Sequence, residues 1–285
     1  MNLVILENEI LYVEISEIGA EVRKVLCEGK NRAWTGDEKY WKGVSPVLFP
    51  ICSRLREGYF TYEGEKYEMG MHGFAGKQEF QVEESSPISA TFLLKDNEET
   101  LKEYPWHFEF RVTYTLRGNC LDTTYDIRNK SQSTMYYSVG AHESYWCENG
   151  IEDYDIIFER NETLYNVTYD DKSVPCTRHI MLKDSNVLPL YENYFNIDSI
   201  IFKDVKSRYA TIRNRKTGES SSVKFDGFDY LLLWHKPGAP YICFEPWAGI
   251  CASNGGVTDI TKKEGILKLE VGEKKIFNHS VYYQN

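Results

Sequence analysis

Residues 108–127 read FEFRVTYTLRGNCLDTTYDI, two runs of alternating apolar and polar side chains on either side of Gly118-Asn119. A period of two puts one set of side chains on a buried face and the other on a solvated face, and a glycine-containing pair between two such runs reads as a hairpin connection. The same pattern extends outward in both directions. Upstream lie LVILENEILYVEI, GYFTYEGEKYEM, EFQVEE and SATFLLK; downstream lie TMYYSVGAH, YDIIFE, ATIRN, SVKFDGFDYLLLWH, YICFEPW and ILKLEVGEKKIFNHSVYY. Glu63-Gly64, Thr217-Gly218 and Gly272-Glu273 join further pairs of runs as turns. Helical patterning is confined to NEETLKEY around Leu101 and a short piece at Asp37 to Trp41, neither long enough to organise a fold. Asp170 to Asn186 reads as a loop. No repeat, low-complexity tract or Pro/Gly/Ser linker divides the chain. The expectation is one all-β domain over residues 1–285, a large antiparallel β-sandwich with one face curved around a ligand.

Composition agrees with that expectation and removes several classes of function. At 285 residues the chain exceeds the usual domain length, yet sandwiches of about 200–250 residues occur as single units. Aromatic residues make up 14%, with 21 tyrosines against 14 phenylalanines and 6 tryptophans, which favours sheet over helix bundle. The net charge of −10 carries no basic stripe to neutralise a phosphate backbone, so nucleic acid is not an expected partner. Asn2 and LVIL follow Met1 with no basic leader, and no apolar run approaches the roughly 18 residues that span a bilayer, so a cytoplasmic protein without a membrane partner is expected. The seven cysteines are odd in number and contain no C-x-x-C pair, which suits buried thiols in a reducing compartment. Sequons at Asn129, Asn161, Asn166 and Asn278 are chance matches in the absence of a secretory signal. Composition leaves monomer and homodimer equally open.

Nucleotide and nucleophile-elbow motifs are absent: there is no G-x-x-x-x-G-K-[ST], G-x-G-x-x-G or G-x-S-x-G. His142-Glu143 starts like H-E-x-x-H, but Trp146 holds the fifth position, so no metal site is expected. Four polar residues in apolar surroundings remain. In TMYYSVGAHESYW, alternation puts Met135, Tyr137, Val139 and Ala141 on one face and Tyr136, Ser138, Gly140 and His142 on the other, with Gly140 leaving room for a ligand. The alternative is a hydrogen-bonded structural histidine. Glu245 in YICFEPWAG reads as the end of an aromatic strand closed by Pro246, partly desolvated, with its pKa raised towards what a general base needs. A solvated strand-end carboxylate is the competing reading. Arg54 in SPVLFPICSRLREGYF carries a planar fork of donors suited to ring hydroxyls, whereas Arg56 reads as a surface residue. His72 in EMGMHGFAG sits between Gly70 and Gly73, where backbone and imidazole can approach a ligand; a bland loop histidine is the alternative.

Taken in order, FPICSR, MHGFAG, GAH before an acidic and aromatic stretch, WHKPGAPYICFEPWAG and KKEGILKLEVGE resemble the aldose 1-epimerase (galactose mutarotase) family, and within it the bacterial LacX-like branch. The resemblance implies a galactose mutarotase-like β-supersandwich with a concave sugar-binding face and an isomerase that interconverts the α and β anomers of a free hexose without a cofactor. It implies Glu245 as catalytic base, His142 as catalytic acid, and His72 and Arg54 as substrate-binding residues. Glu143 departs from the proline that commonly follows this histidine in the LacX-like branch, which bears on sugar specificity. The family's acidic hydroxyl-binding residue is unplaced, with Asp226 and Asp229 as candidates by composition. Two other readings stand beside this one: a non-catalytic carbohydrate-binding protein, and a hexose-phosphate mutarotase in which Arg54 and Arg56 clamp the phosphate.

Overall fold

The computed structural model describes residues 2–169, 175–196, 198–251 and 258–285. All of its paired strands among the described residues are antiparallel, and they build two principal sheets. The larger has nine strands in the order Pro175–Pro189, Tyr154–Tyr169, Tyr209–Asn214, Ser220–Lys224, Lys274–Gln284, Cys120–Asn129, Phe108–Arg117, Ser89–Lys95 and Gln81–Ser86. The second runs Ile200–Phe202, Tyr230–Trp234, Tyr241–Ala248, Val139–Ala141 and Val47–Leu48, with Glu143–Trp146 as a further partner of Tyr241–Ala248. A four-stranded sheet formed by residues 3–31 and two small two-stranded pieces complete the described strands.

The 108–127 hairpin forms as its alternation requires. Phe108, Phe110, Val112, Tyr114 and Leu116 are buried, while Glu109, Arg111, Thr113 and Thr115 face outward. Phe108↔Asn129 through Arg117↔Cys120 pair without a register shift, so one face of this ribbon is committed to the core. Phe49 packs on Phe108 and Phe110 at ring-centroid distances of 5.1 and 4.7 Å. Most buried apolar residues from Leu6 to Tyr283 belong to one connected cluster between the layers, and Leu48, Cys52, Ile201, Leu232, Trp247, Ile250 and Cys251 form a second, smaller one. Burial of this kind supplies about 25 cal/mol per Å² of apolar surface and is the main term favouring the fold.

The structure bears out the helical patterning around Leu101 and changes several other expectations. Glu98–Glu103 is a helix, started by Asn97, whose side chain accepts the N–H groups of Glu99 and Thr100 at 2.9 Å. Asp37 to Trp41 is a turn rather than a helix. Gly272-Glu273 does not close a hairpin: Leu267–Leu269 pairs with Met135–Tyr137, and Lys274–Gln284 with Cys120–Asn129. Pro175–Pro189 is a strand, not the second part of a loop; residues 170–174 lie outside the described residues. TMYYSVGAH divides between two sheets, as does SVKFDGFDYLLLWH, because short apolar runs carry no information about which partner they will meet. The described thiols of Cys27, Cys52, Cys120, Cys147, Cys243 and Cys251 are free and buried, as expected; the side chain of Cys176 lies outside the description. Among the described residues no helix is long and apolar enough to cross a membrane.

Tyr241–Ala248 is the strand on which the site depends. All eight of its residues are buried, so it is covered on both faces. On its inner face Phe244 stands 5.6 Å from the ring of Phe225, the residue that follows the Ser220–Lys224 strand of the nine-stranded sheet. Its outer face carries Tyr241, Cys243, Glu245 and Trp247, as alternation predicts.

Candidate active site

Register brings the central pair together. Gly140 pairs with Trp247 and Glu143 with Phe244, and the same count places His142 opposite Glu245. Directly opposed residues of an antiparallel pair share a face, with Cβ atoms about 4.5–5.5 Å apart. His142 Nε2 accordingly stands 3.5 Å from Glu245 Oε2, with both side chains buried. The partner strand loses its regular pairing at His142, beside Pro246, which has no N–H to give. Glu245 is therefore not a strand end. It lies within a strand that continues to Ala248 and pairs on its other side with Leu232.

Around this pair is a cleft of about 410 Å³, lined among others by Trp41, Trp234 and Trp247, with Arg54, His72 and Asp198. That volume falls in the range of small-molecule sites. The ring of Trp41 lies 4.9 Å from that of His142, and the ring of Trp234 5.7 Å. All four residues singled out in the sequence thus line one cleft. Glycine works differently from the expectation, however. A Cβ on Gly140 would come within 2.5 Å of the Trp247 indole, so the missing side chain accommodates that indole, which donates Nε1–H to Ala141 O, rather than a ligand. Gly73, at φ +72°, likewise serves backbone packing, since a Cβ there would sit 2.3 Å from Phe49 O.

His72 is fixed by its backbone and by Ser53. Its N–H donates to Ser53 O at 2.8 Å, and Ser53 N–H donates to its Nδ1 at 3.1 Å. Nδ1 is then an acceptor, and the proton of the neutral ring belongs on Nε2. Burial, helped by the nearby Arg54 guanidinium, lowers the pKa of His72 to about 4, so at neutral pH it is an uncharged donor. Its ring stands 5.4 Å from that of His142, nearly perpendicular. Arg54 is half-exposed at the rim and meets Asp198 at 3.2 Å. Arg56 does not line the cleft and contacts Glu57 at 3.6 Å instead.

Burial pushes the Glu245 carboxyl well up, assisted by the Asp198 carboxylate, and pushes the His142 imidazole well down, assisted by His72. The raised Glu245 pKa expected from the sequence is found, and desolvation favours the uncharged arrangement of the pair's single proton over Glu⁻ beside His⁺. In either arrangement the pair offers one proton donor and one acceptor. Cys243 Sγ joins these two side chains in the one group of metal-ligand type among the described residues, its ligand atoms within 4.8 Å of the others. Burial and the Glu245 carboxyl raise its thiol well above the usual range.

Three participants escaped the sequence reading. Asp198 is the acidic residue at the cleft; Asp226, paired with Lys224, and Asp229 do not line it. Trp41 and Trp234 form walls, and Trp234 was visible only as part of the quoted WHKPGAP stretch. Nothing local distinguishes Asp198 or Trp41, because their role arises from where chain crossings deliver them. Glu143 turns away from the cleft. Its Oε1 lies 2.7 Å from His279 Nε2, and Tyr145 Oη donates to its Oε2 at 2.8 Å. This residue joins the two sheets and does not line the cleft.

The aldose 1-epimerase family model matches residues 2–252. The chain belongs to the aldose 1-epimerase family. Protein LacX (plasmid) of Lactococcus lactis subsp. lactis is 35% identical over 267 residues, covering 87% of this chain and 88% of that protein. A galactose mutarotase related enzyme from Lactobacillus acidophilus superposes with a TM-score of 0.94 at 31% identity, covering 100% of this chain and 98% of that one. A galactose mutarotase-like protein from Lactobacillus casei gives the same TM-score at 26% identity, covering 99% and 100%. The fold of this family member is thus the galactose mutarotase-like antiparallel β-supersandwich that the family resemblance implied, in agreement with the antiparallel sandwich read from its strands.

Proposed function

We propose that this family member acts, as one unit, as an aldose 1-epimerase on a free hexose, with Glu245 as base, His142 as acid, and His72, Arg54 and Asp198 holding the sugar. The observation that carries this reading is the opposition of His142 and Glu245 at 3.5 Å on the floor of an indole-walled cleft. Indole faces suit the C–H faces of a sugar ring, and an arginine–aspartate rim offers donors and acceptors to its hydroxyls.

Anomer exchange requires one proton to leave the anomeric hydroxyl and one to reach the ring oxygen. Glu245 takes the proton from O1 while His142 gives one to the ring oxygen; the bond from C1 to the ring oxygen breaks and C1=O1 forms. After rotation about C1–C2 the ring hydroxyl attacks the other aldehyde face. His142 recovers its proton, and protonated Glu245 returns one to O1. No group beyond these two has to gain or lose a proton, so the reaction needs no cofactor. The hydrogen bonds of a hydroxyl-rich substrate stabilise the Glu⁻/His⁺ arrangement that burial disfavours.

Polarimetry or exchange NMR with fresh α-D-glucose and α-D-galactose tests the activity. Hexose binding by titration with no acceleration of anomer exchange would leave a binding protein in its place. The phosphate-clamp reading is disfavoured because Arg56 does not reach the cleft that Arg54 borders. Comparison of glucose with glucose 6-phosphate in the same assay checks that point.

A further inference from the structure

A second cleft, of about 470 Å³, opens farther along the same sheet. Trp146 lies on its wall, four residues beyond His142 and on the same face of the strand, roughly 13 Å away at about 3.3 Å per residue. One side of Trp146 stacks on Trp34, with centroids 6.1 Å apart and planes 15° from parallel. Around it stand Arg32, Lys30, Glu148, Tyr154 and Glu219. Arg32 is buried and fixed: Nη2 donates to Ser220 O at 2.5 Å and to Ser221 Oγ at 3.3 Å, and Nη1 lies 3.7 Å from Glu219. Lys30 meets Glu219 at 2.9 Å, and Tyr154 Oη accepts the N–H of Glu148 at 3.1 Å.

The chemistry of this lining is selective. The charged side chains balance, two basic against two acidic, so an anion confronts Glu148 and Glu219 and a cation confronts Lys30 and Arg32. A wholly apolar ligand would desolvate the same groups without replacing their hydrogen bonds. A neutral ligand with an apolar face for the indole and hydroxyls on its edge meets every group favourably. We propose that this cleft is a second, non-catalytic binding site for a neutral saccharide. The site is separate from the candidate active site and does not depend on its chemistry.

The test uses the full chain carrying 5-fluorotryptophan at its six tryptophans, with the Trp146 fluorine resonance assigned through Trp146→Phe. Methyl β-D-glucopyranoside and methyl β-D-galactopyranoside cannot open at C1, and lactose supplies a longer saccharide. Titration with these three is expected to move the Trp146 resonance saturably, in Glu245→Gln protein as well as in the wild type. Glu148 is exposed, and Glu148→Lys is expected to weaken that response at least about tenfold, the effect of losing a charged hydrogen-bond acceptor. A Trp146 resonance that stays fixed with all three sugars overturns the proposal, whatever Trp41 and Trp234 do, since those two report separately on the candidate active site. Movement with inorganic phosphate or glucose 6-phosphate alone also overturns it, as does an unchanged affinity in Glu148→Lys.

Discussion

Two neighbouring residues, His142 and Glu143, each pair with an acid–base partner of the opposite type, on opposite faces of one strand. His279 is buried between the sheets and Glu143 largely so, 2.7 Å apart, with Tyr145 Oη satisfying the second carboxylate oxygen. The imidazole there holds Glu143 below the ordinary carboxylate range despite the opposing effect of burial. His142 and Glu245 are also buried but stand 3.5 Å apart on a cleft, with burial pushing both towards their uncharged forms. Both histidines leave Nδ1 without a partner, so the difference lies at the other end of each pair. A satisfied pair fixes structure, whereas an unsatisfied pair facing a cleft has hydrogen-bonding capacity left for a ligand.

The largest expected effect separates the two pairs outright. Glu245→Gln should lower turnover by about 10²–10⁴-fold, the usual contribution of positioned proton transfer, with little change in melting temperature because the amide replaces a buried carboxyl already pushed towards neutrality. Near-wild-type turnover in the folded variant, followed by polarimetry, would remove Glu245 from the mechanism. Glu143→Ala should do the reverse: about 3–5 kcal/mol of stability lost in denaturant unfolding, with anomer exchange per folded molecule reduced far less than by Glu245→Gln. An unchanged unfolding midpoint would mean the inter-sheet pair contributes nothing net.

pH sharpens the contrast. Because burial lowers His142 and raises Glu245, the cleft pair binds its second proton only well below the ordinary imidazole pKa, so the acid limb of kcat/KM should fall below about 6.5. An acid limb at or above that value would place His142 in an ordinary, solvated setting. His72 gives the matching stability effect: its folded pKa of about 4 lies below the unfolded value, so the unfolded chain binds more protons between these values. Stability should therefore decline as pH falls from about 6.5 towards about 4, and His72→Asn should flatten that slope. The smallest effect belongs to the rim, where Arg54 and Asp198 remain half-exposed. Arg54→Ala should raise KM by roughly tenfold with a smaller change in kcat, because its proposed role is to orient the sugar rather than to transfer protons. A loss confined to kcat would contradict that role.

Alternation made the hairpin at 108–127 and the outward face of Tyr241–Ala248 legible, because side-chain direction in a strand follows from a period of two. Reading Pro246 as the close of the strand failed for Glu245, since a proline inside a strand is visible in sequence but its ladder partners are not. Reading Gly140 as room for a ligand also failed, because its missing side chain faces an indole that arrives from another strand. His142, Glu245, His72 and Arg54 were found because a polar group in an apolar run is a local anomaly. Asp198 sits in an unremarkable stretch, and Glu143 shows nothing local of its partner His279.

By itself the sequence determined the all-β antiparallel class and the family, because both rest on local periodicity and on an ordered series of motifs. The tertiary structure alone decided the register that sets His142 against Glu245, the acid at the rim and the partner of Glu143. Those are contacts between residues far apart in the chain, and they are selected by the burial of whole faces rather than by any neighbour in sequence.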